Sequence, residues 1–229
     1  NKAHHLQHHE MMKNEVRVFA PASVGNAIVG FDILGLALTQ PGDEIVARRS
    51  DVPGLRIVSI TGDEGKLTYD AEKNTAGFAA LSLLRHLGQS GLGIELEIHK
   101  RMPFGSGLGS SAASAVAGAF AVNLLLGSPL SKKELLPFAM QGEQLASGGF
   151  HADNVAPSLL GGIILICSNQ NLDVHALPVP EELFAAVVYP EVEVLTKTAR
   201  SILSPDISLS RHIEQSGFLG GFVTALFRS

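Results

Sequence analysis

Apolar and polar residues alternate along positions 16–20, 55–60 and, most strictly, 93–99. Alternation sends successive side chains to opposite faces, so these segments are expected as strands with one buried side. Pro21 is expected to end the first. Residues 26–36 read as a glycine-punctuated loop running into another strand. Between 75 and 87 the period changes: Ala79, Ala80, Leu83, Leu84 and Leu87 fall on one side of a helix, and Gly88 closes it. A second helix is expected from a Ser110 or Ser111 cap to Leu126, stopped by Gly127 and Pro129, with small residues that let it approach a sheet closely. Ser131-Lys132-Lys133-Glu134 is a capping box opening a helix to about Ala146, with Pro137 as a kink or as the true first turn. Residues 161–168 and 185–189 read as buried strands, and 196–203 and 210–227 as helices. The mixture predicts an α+β architecture of two layers, with Pro178 and Pro180 marking a boundary between units at 13–180 and 181–229.

Composition narrows the classes. The chain has 229 residues, 45% hydrophobic and 17% charged, enough for a sizeable core. A net charge of −5 argues against a nucleic-acid surface. The longest apolar stretch, 112–126, is too short to span a membrane. Cys167, the one cysteine, lies in an apolar run and is expected to be buried and inert, so a reducing cytoplasm fits. Residues 1–12 carry His4, His5, His8 and His9 and look like a tag remnant rather than a metal site.

The chemistry concentrates at residues 103–113, where Gly105, Gly107 and Gly109 alternate with Ser106 and Leu108 before Ser110 and Ser111. Glycines let a backbone approach a ligand closely, and the N–H groups and dipole of the next helix favour an anion, so the segment suits a phosphate. It lacks the Gly-Lys-Ser/Thr of a Walker A loop and the spacing of a dinucleotide fingerprint. The bland alternative is a flexible Gly/Ser turn. Other polar groups stand on loops or element ends: Asn26 with Asp32, Glu143, the 148–154 segment with His151, and 196–200 with Arg200. Loop caps or solvated charges would account for each alone. Together they suit another reading. Ser111 and Glu143 are hard oxygen ligands for Mg²⁺, Asp32 could pair with an ammonium, and Arg200 could clamp a carboxylate. An acidic and a basic anchor suit a zwitterionic acceptor.

Residues 103–113 resemble the phosphate-loop motif of the GHMP kinases, the superfamily of galactokinase, homoserine kinase, mevalonate kinase and phosphomevalonate kinase. Residues 21–35 and 147–162 resemble motifs of its homoserine-phosphorylating branch, and Thr196-Lys197-Thr198-Ala199-Arg200 fits a Thr-x-x-x-Arg segment. The resemblance implies ATP-dependent phosphorylation of L-homoserine in threonine biosynthesis, with Mg²⁺, in a cytoplasmic enzyme, and suggests a homodimer. It implies that Asn26, Asp32, His151 and Arg200 bind homoserine and that Thr196 assists near the acceptor. Pro103 and the Gly105–Ser110 backbone would wrap the phosphates, Ser111 and Glu143 hold Mg²⁺, and Asn74 touch the nucleotide. Where mevalonate kinase and galactokinase carry an Asp base, this chain has Asn154. The implied catalysis is therefore positioning and charge neutralisation by Asn154, Thr196 and Arg200, with Asp153 expected to face away. Ile28 departs from the first motif, and no third glycine-rich motif is found, Gly220-Gly221 being a poor match. A second, ferredoxin-like domain is thus expected in part only. Two alternatives stand beside this reading: a kinase for another small alcohol, and a nucleotide-binding protein of weak activity.

Overall fold

The computed structural model describes residues 14–103, 105–188, 196–204 and 206–228, with the backbone alone at 196–198. Its elements are β1 (Glu15–Val24), β2 (Leu34–Arg49), β3 (Leu55–Thr61), α1 (Thr75–His86), β4 (Ile94–His99), α2 (Ser110–Leu125), α3 (Lys132–Ser147), α4 (Val155–Leu160), β5 (Ile163–Ser168), β6 (Asp173–Leu177), α5 (Thr196–Ser201) and α6 (Leu209–Leu226). One sheet takes the order β3-β4-β2-β5-β6, with β1 paired to β2 outside this path. The long β2 is its organiser: Leu34–Leu36 pair with β5, while Glu44–Arg49 pair with β4. β3 and β4 run parallel and are joined through α1; all other pairs are antiparallel.

Helices α1, α2 and α3 pack on one another, and α2 lies against β1 and β2. Small residues decide this arrangement. A Cβ on Gly118 of α2 would stand 2.3 Å from the Ala76 carbonyl oxygen, and one on Gly142 of α3 would stand 2.5 Å from that of Thr75. Leu83, Leu84, Leu96, Ile98, Leu135 and Met140 fill the space between helices and sheet, all fully buried. A smaller apolar cluster joins Ala27, Leu34, Ile163 and Leu177 to Leu226 of α6.

Several expectations are corrected. β1 does not stop at Pro21 but runs to Val24, because β1 pairs on one side only and its register shifts between Pro21 and Ser23, where a missing N–H costs no ladder bond. Neither serine caps α2: Gly109, at φ 66°, is the cap residue, and the Ser110 hydroxyl donates instead to Asp43 Oδ2 at 3.1 Å. Pro137 lies within α3, whose start is fixed by the Ser131–Glu134 capping box. Cys167 is exposed rather than buried, because alternation along β5 turns it to the face opposite the buried Ile164 and Ile166. Residues 185–188 are exposed and form no strand, since an apolar run becomes one only where a sheet edge receives it; Tyr189 lies outside the described residues. β6, α4 and the Asp43–Arg49 half of β2 were not foreseen.

Candidate active site

The 103–113 loop leaves β4 and turns into α2 through three left-handed glycines, Gly105 (φ 64°), Gly107 (φ 72°) and Gly109 (φ 66°). Gly109 has a second requirement: a Cβ there would meet Ser23 Oγ at 2.3 Å and Asn154 Oδ1 at 2.8 Å. The loop is pinned from outside. Ser23 N donates to the Leu108 carbonyl at 3.0 Å, and the Ser106 hydroxyl donates to the Pro103 carbonyl at 2.8 Å. The Leu108 side chain turns down into the core, so this residue serves the loop through its backbone.

Beneath the loop lies an ion pair that the sequence reading missed. Lys100 Nζ, at the end of β4, contacts Asp43 of β2 with both side chains almost wholly buried. The same ammonium donates to the Ser110 carbonyl at 3.0 Å and to Ser114 Oγ at 2.7 Å. Asp43 also accepts from Arg101 N at 2.8 Å. The network fixes both the start of the loop and the first turn of α2. Desolvation pulls the Lys100 pKa down, and the Asp43 charge opposes this. A lysine after a strand and an aspartate 57 positions earlier carry no local motif, so pairing alone reveals them.

The loop borders a cavity of about 300 Å³, lined by Pro103, Gly105, Ser106, Ser110, Ser111 and Lys100 among others. A neighbouring cavity of about 550 Å³ is lined by Asn26, His151, Asp153 and Arg200. Gly107, Glu143 and Asn154 line both. Asn154 stands at the junction, its Oδ1 accepting from the Ser23 hydroxyl at 3.0 Å.

Glu143 lies where a cation would be needed. Its Oε2 is buried without a hydrogen-bond partner. Burial first, and then the Asp153 charge, raises its pKa to about 7, while a hydrogen bond from Ser111 and the Lys100 charge pull the other way. A buried carboxylate with an unsatisfied oxygen beside a hydroxyl fits a small divalent cation.

Arg200, which lines the larger cavity, faces Asp32 beside it. Arg200 donates from Nη1 to Asp32 Oδ2 at 2.9 Å and from Nη2 to Oδ1, and its guanidinium lies 5.3 Å from the Phe31 ring centre. The Asp32 hydrogen bonds raise the Arg200 pKa. His151 Nδ1 is buried 3.4 Å from Asp32 Oδ2, a separation that satisfies no hydrogen bond. Asn26 adopts φ 54°, and its Oδ1 accepts from Asp32 N at 2.9 Å, so it caps its own loop while lining the cavity.

Two expectations fail here. Asp153 does not face away from Asn154: both line the same cavity, because Asn154 is the cap residue of α4 and the chain turns there. The Asp153 carboxylate accepts from Asn26 N at 3.1 Å, and burial followed by the Asp32 charge raises its pKa. Asn74 lines neither cavity. It is buried as the cap of α1, accepting from Ala76 N and Gly77 N and donating to the Thr68 carbonyl. The side chain of Thr196 lies outside the described residues.

A glycine-rich loop into a helix, a buried carboxylate beside it and an adjoining polar cavity define the class, a small-molecule kinase domain of GHMP type. The family model for the GHMP kinase N-terminal domain matches residues 74–162. The homoserine kinase of Chlorobium phaeovibrioides is 48% identical over 223 residues, covering 93% of this chain and 70% of that protein. That of Chloroherpeton thalassium is 46% identical over 224 residues, with the same coverage. The crystal structure of homoserine kinase from Cytophaga hutchinsonii superposes with a TM-score of 0.89 at 55% identity, covering 93% of this chain and 67% of that one. Methanococcus jannaschii mevalonate kinase, at 18% identity and a TM-score of 0.57, shares the fold. The chain belongs to the homoserine kinase family of the GHMP kinases, and spans about 70% of the length of the two curated relatives.

Proposed function

We propose that this protein transfers the γ-phosphoryl group of ATP to the hydroxyl of L-homoserine, giving O-phospho-L-homoserine for threonine biosynthesis in the cytoplasm. One observation carries the reading: a phosphate-loop cavity and a zwitterion-suited cavity meet at Gly107, Glu143 and Asn154. The nucleotide phosphates take the smaller cavity, against the Gly105–Ser110 backbone and the α2 N-terminus. Ser111 and Glu143 hold Mg²⁺, which neutralises polyphosphate charge. Residues 13–180 form the nucleotide-binding unit.

The acceptor takes the larger cavity. Its ammonium pairs with Asp32 and its carboxylate with Arg200, while Asn26 and His151 complete the lining. Because Asp32 and Arg200 bind one another directly, a ligand that separates them must offer each a replacement charge. A zwitterion does so, whereas an anion leaves Asp32 unpaired and a neutral alcohol leaves both ions unpaired. This favours an amino acid over mevalonate or galactose.

Transfer forms a bond from the acceptor oxygen to γ-phosphorus as the bond to the β,γ-bridging oxygen breaks. The hydroxyl proton passes to the transferred phosphoryl oxygens and from there to water, since the Asn154 amide is not basic enough to take it. Its role is to orient the hydroxyl, with Arg200 and Thr196 nearby, and catalysis rests on alignment and charge. The test is Mg²⁺-dependent ADP release with L-homoserine, mevalonate, galactose or no acceptor. Stimulation by homoserine alone supports the reading. Stimulation by another alcohol, or by none, overturns it.

A further inference from the structure

Asp32 is held in an unusual backbone conformation, with φ 61°. For a residue with a Cβ that region is strained and persists only where the surroundings fix it. Its N–H is held by Asn26 Oδ1. Its carbonyl is held from across the chain: Asn169 Nδ2 donates to it at 3.3 Å. The other end of the same amide accepts from Ala152 N at 2.8 Å. Asn169 follows β5 directly in the turn to β6 and is half-buried.

One side chain therefore joins the two loops that line the acceptor cavity. On one side is Asp32, the partner of Arg200. On the other is Ala152, between His151 and Asp153. The end of β5 is a firm base for this tie, because Ile166 N donates to the Ile33 carbonyl at 2.8 Å and Leu34 pairs with Leu165. The chemistry selects an amide. A carbonyl needs a donor and an N–H needs an acceptor, and at this length only asparagine offers both. Aspartate would keep the acceptor, lose the donor and bring a third carboxylate towards Asp32 and Asp153.

We propose that Asn169 is a positioning residue for the acceptor site, setting the distance between the Asp32 loop and the His151–Asn154 loop without touching the substrate. Among the described residues its hydrogen bonds go to Asp32 and Ala152 and not to the phosphate loop, so its influence falls on the acceptor and not on the nucleotide. The proposal rests on the homoserine kinase reading for its kinetic consequence and on the two hydrogen bonds alone for its structural one.

The experiment compares the wild-type chain with Asn169→Ala and Asn169→Asp by steady-state kinetics and by amide hydrogen exchange of residues 150–155. Expected for Asn169→Ala is a rise of about tenfold in the KM for L-homoserine, the KM for MgATP staying within about twofold, with faster exchange at 150–155. Asn169→Asp should restore the slow exchange, since Ala152 N keeps its acceptor, and leave the homoserine KM raised. Equal changes in both KM values, or a fall in kcat alone, would indicate general damage and overturn the positioning role. Unchanged exchange in Asn169→Ala overturns the tie itself, whether or not the wild-type chain phosphorylates homoserine. Should the wild type turn over no acceptor, the functional reading has failed on its own assay and the exchange result alone judges the tie.

Discussion

Arg200 and Glu143 show how much a single side chain is asked to do. Arg200 meets Asp32 with two nitrogens, a planar fork on a planar carboxylate. Lysine keeps the charge and loses the fork. Arg200→Lys is therefore expected to raise the homoserine KM at least tenfold while the MgATP KM hardly moves, measured by coupled ADP release. Glu143 makes a different prediction. Burial first, and then the Asp153 charge, push its pKa from the ordinary 4.5 up to about 7. Between those values the folded chain holds a proton that the unfolded chain has released. Its contribution to stability without metal is full below about pH 4.5 and is lost as the pH rises through about 7. Asp153, also raised, adds in the same direction. Thermal unfolding from pH 5 to 8 should show the fall, and Glu143→Gln should flatten it. A slope unchanged in the variant would move the effect elsewhere.

At the scale of elements, the active site depends on how α2 is seated. The Asp43–Lys100 pair joins β2, β4 and the first turn of α2 with both charges out of water. Removing one charge strands the other. Lys100→Met is expected to destabilise the fold by about 3–5 kcal/mol, and Asp43→Asn combined with it should recover part of the loss, as urea midpoints would show. The opposite face of α2 is limited by space. A methyl at Gly118 would press on the Ala76 backbone at 2.3 Å, which a rigid carbonyl cannot avoid. Gly118→Ala should cost roughly 1–3 kcal/mol, despite alanine's better helix propensity, and calorimetry would read it as a lower Tm.

Across the whole molecule, apolar surface is unevenly shared. The sheet and α1–α4 bury their large side chains, whereas α6 leaves Leu209 (73%), Ile213 (63%) and Phe218 (56%) exposed. Among the described residues no helix is long and apolar enough to cross a membrane. A homodimer, which the family resemblance suggests, would cover this face. Sedimentation velocity should show concentration-dependent association, and Ile213→Lys with Phe218→Ser should return the chain to monomer. A wild type that stays monomeric across concentrations, or a double variant that still associates, would dismiss this face.

The sequence by itself determined the elements whose causes are local. Alternation at 55–60 and 93–99, the Ser131–Glu134 box and the glycine spacing of the loop all act within a few residues, and all appear in the fold. Local rules also placed Asp32 and His151 on loops, Glu143 within a helix and Arg200 near a helix end. They did not say that Asp32 would meet Arg200, or that Asn154 would stand between two cavities. Tertiary structure decided those points, because they join positions more than a hundred residues apart. It likewise decided which face of β5 meets the core, leaving Cys167 on the other, and that Pro21 lies within an edge strand. Asp43 with Lys100, and Asn169 with Ala152 and Asp32, carry no pattern in one dimension. Their meaning is a distance between strands and loops, and only the packed chain sets it.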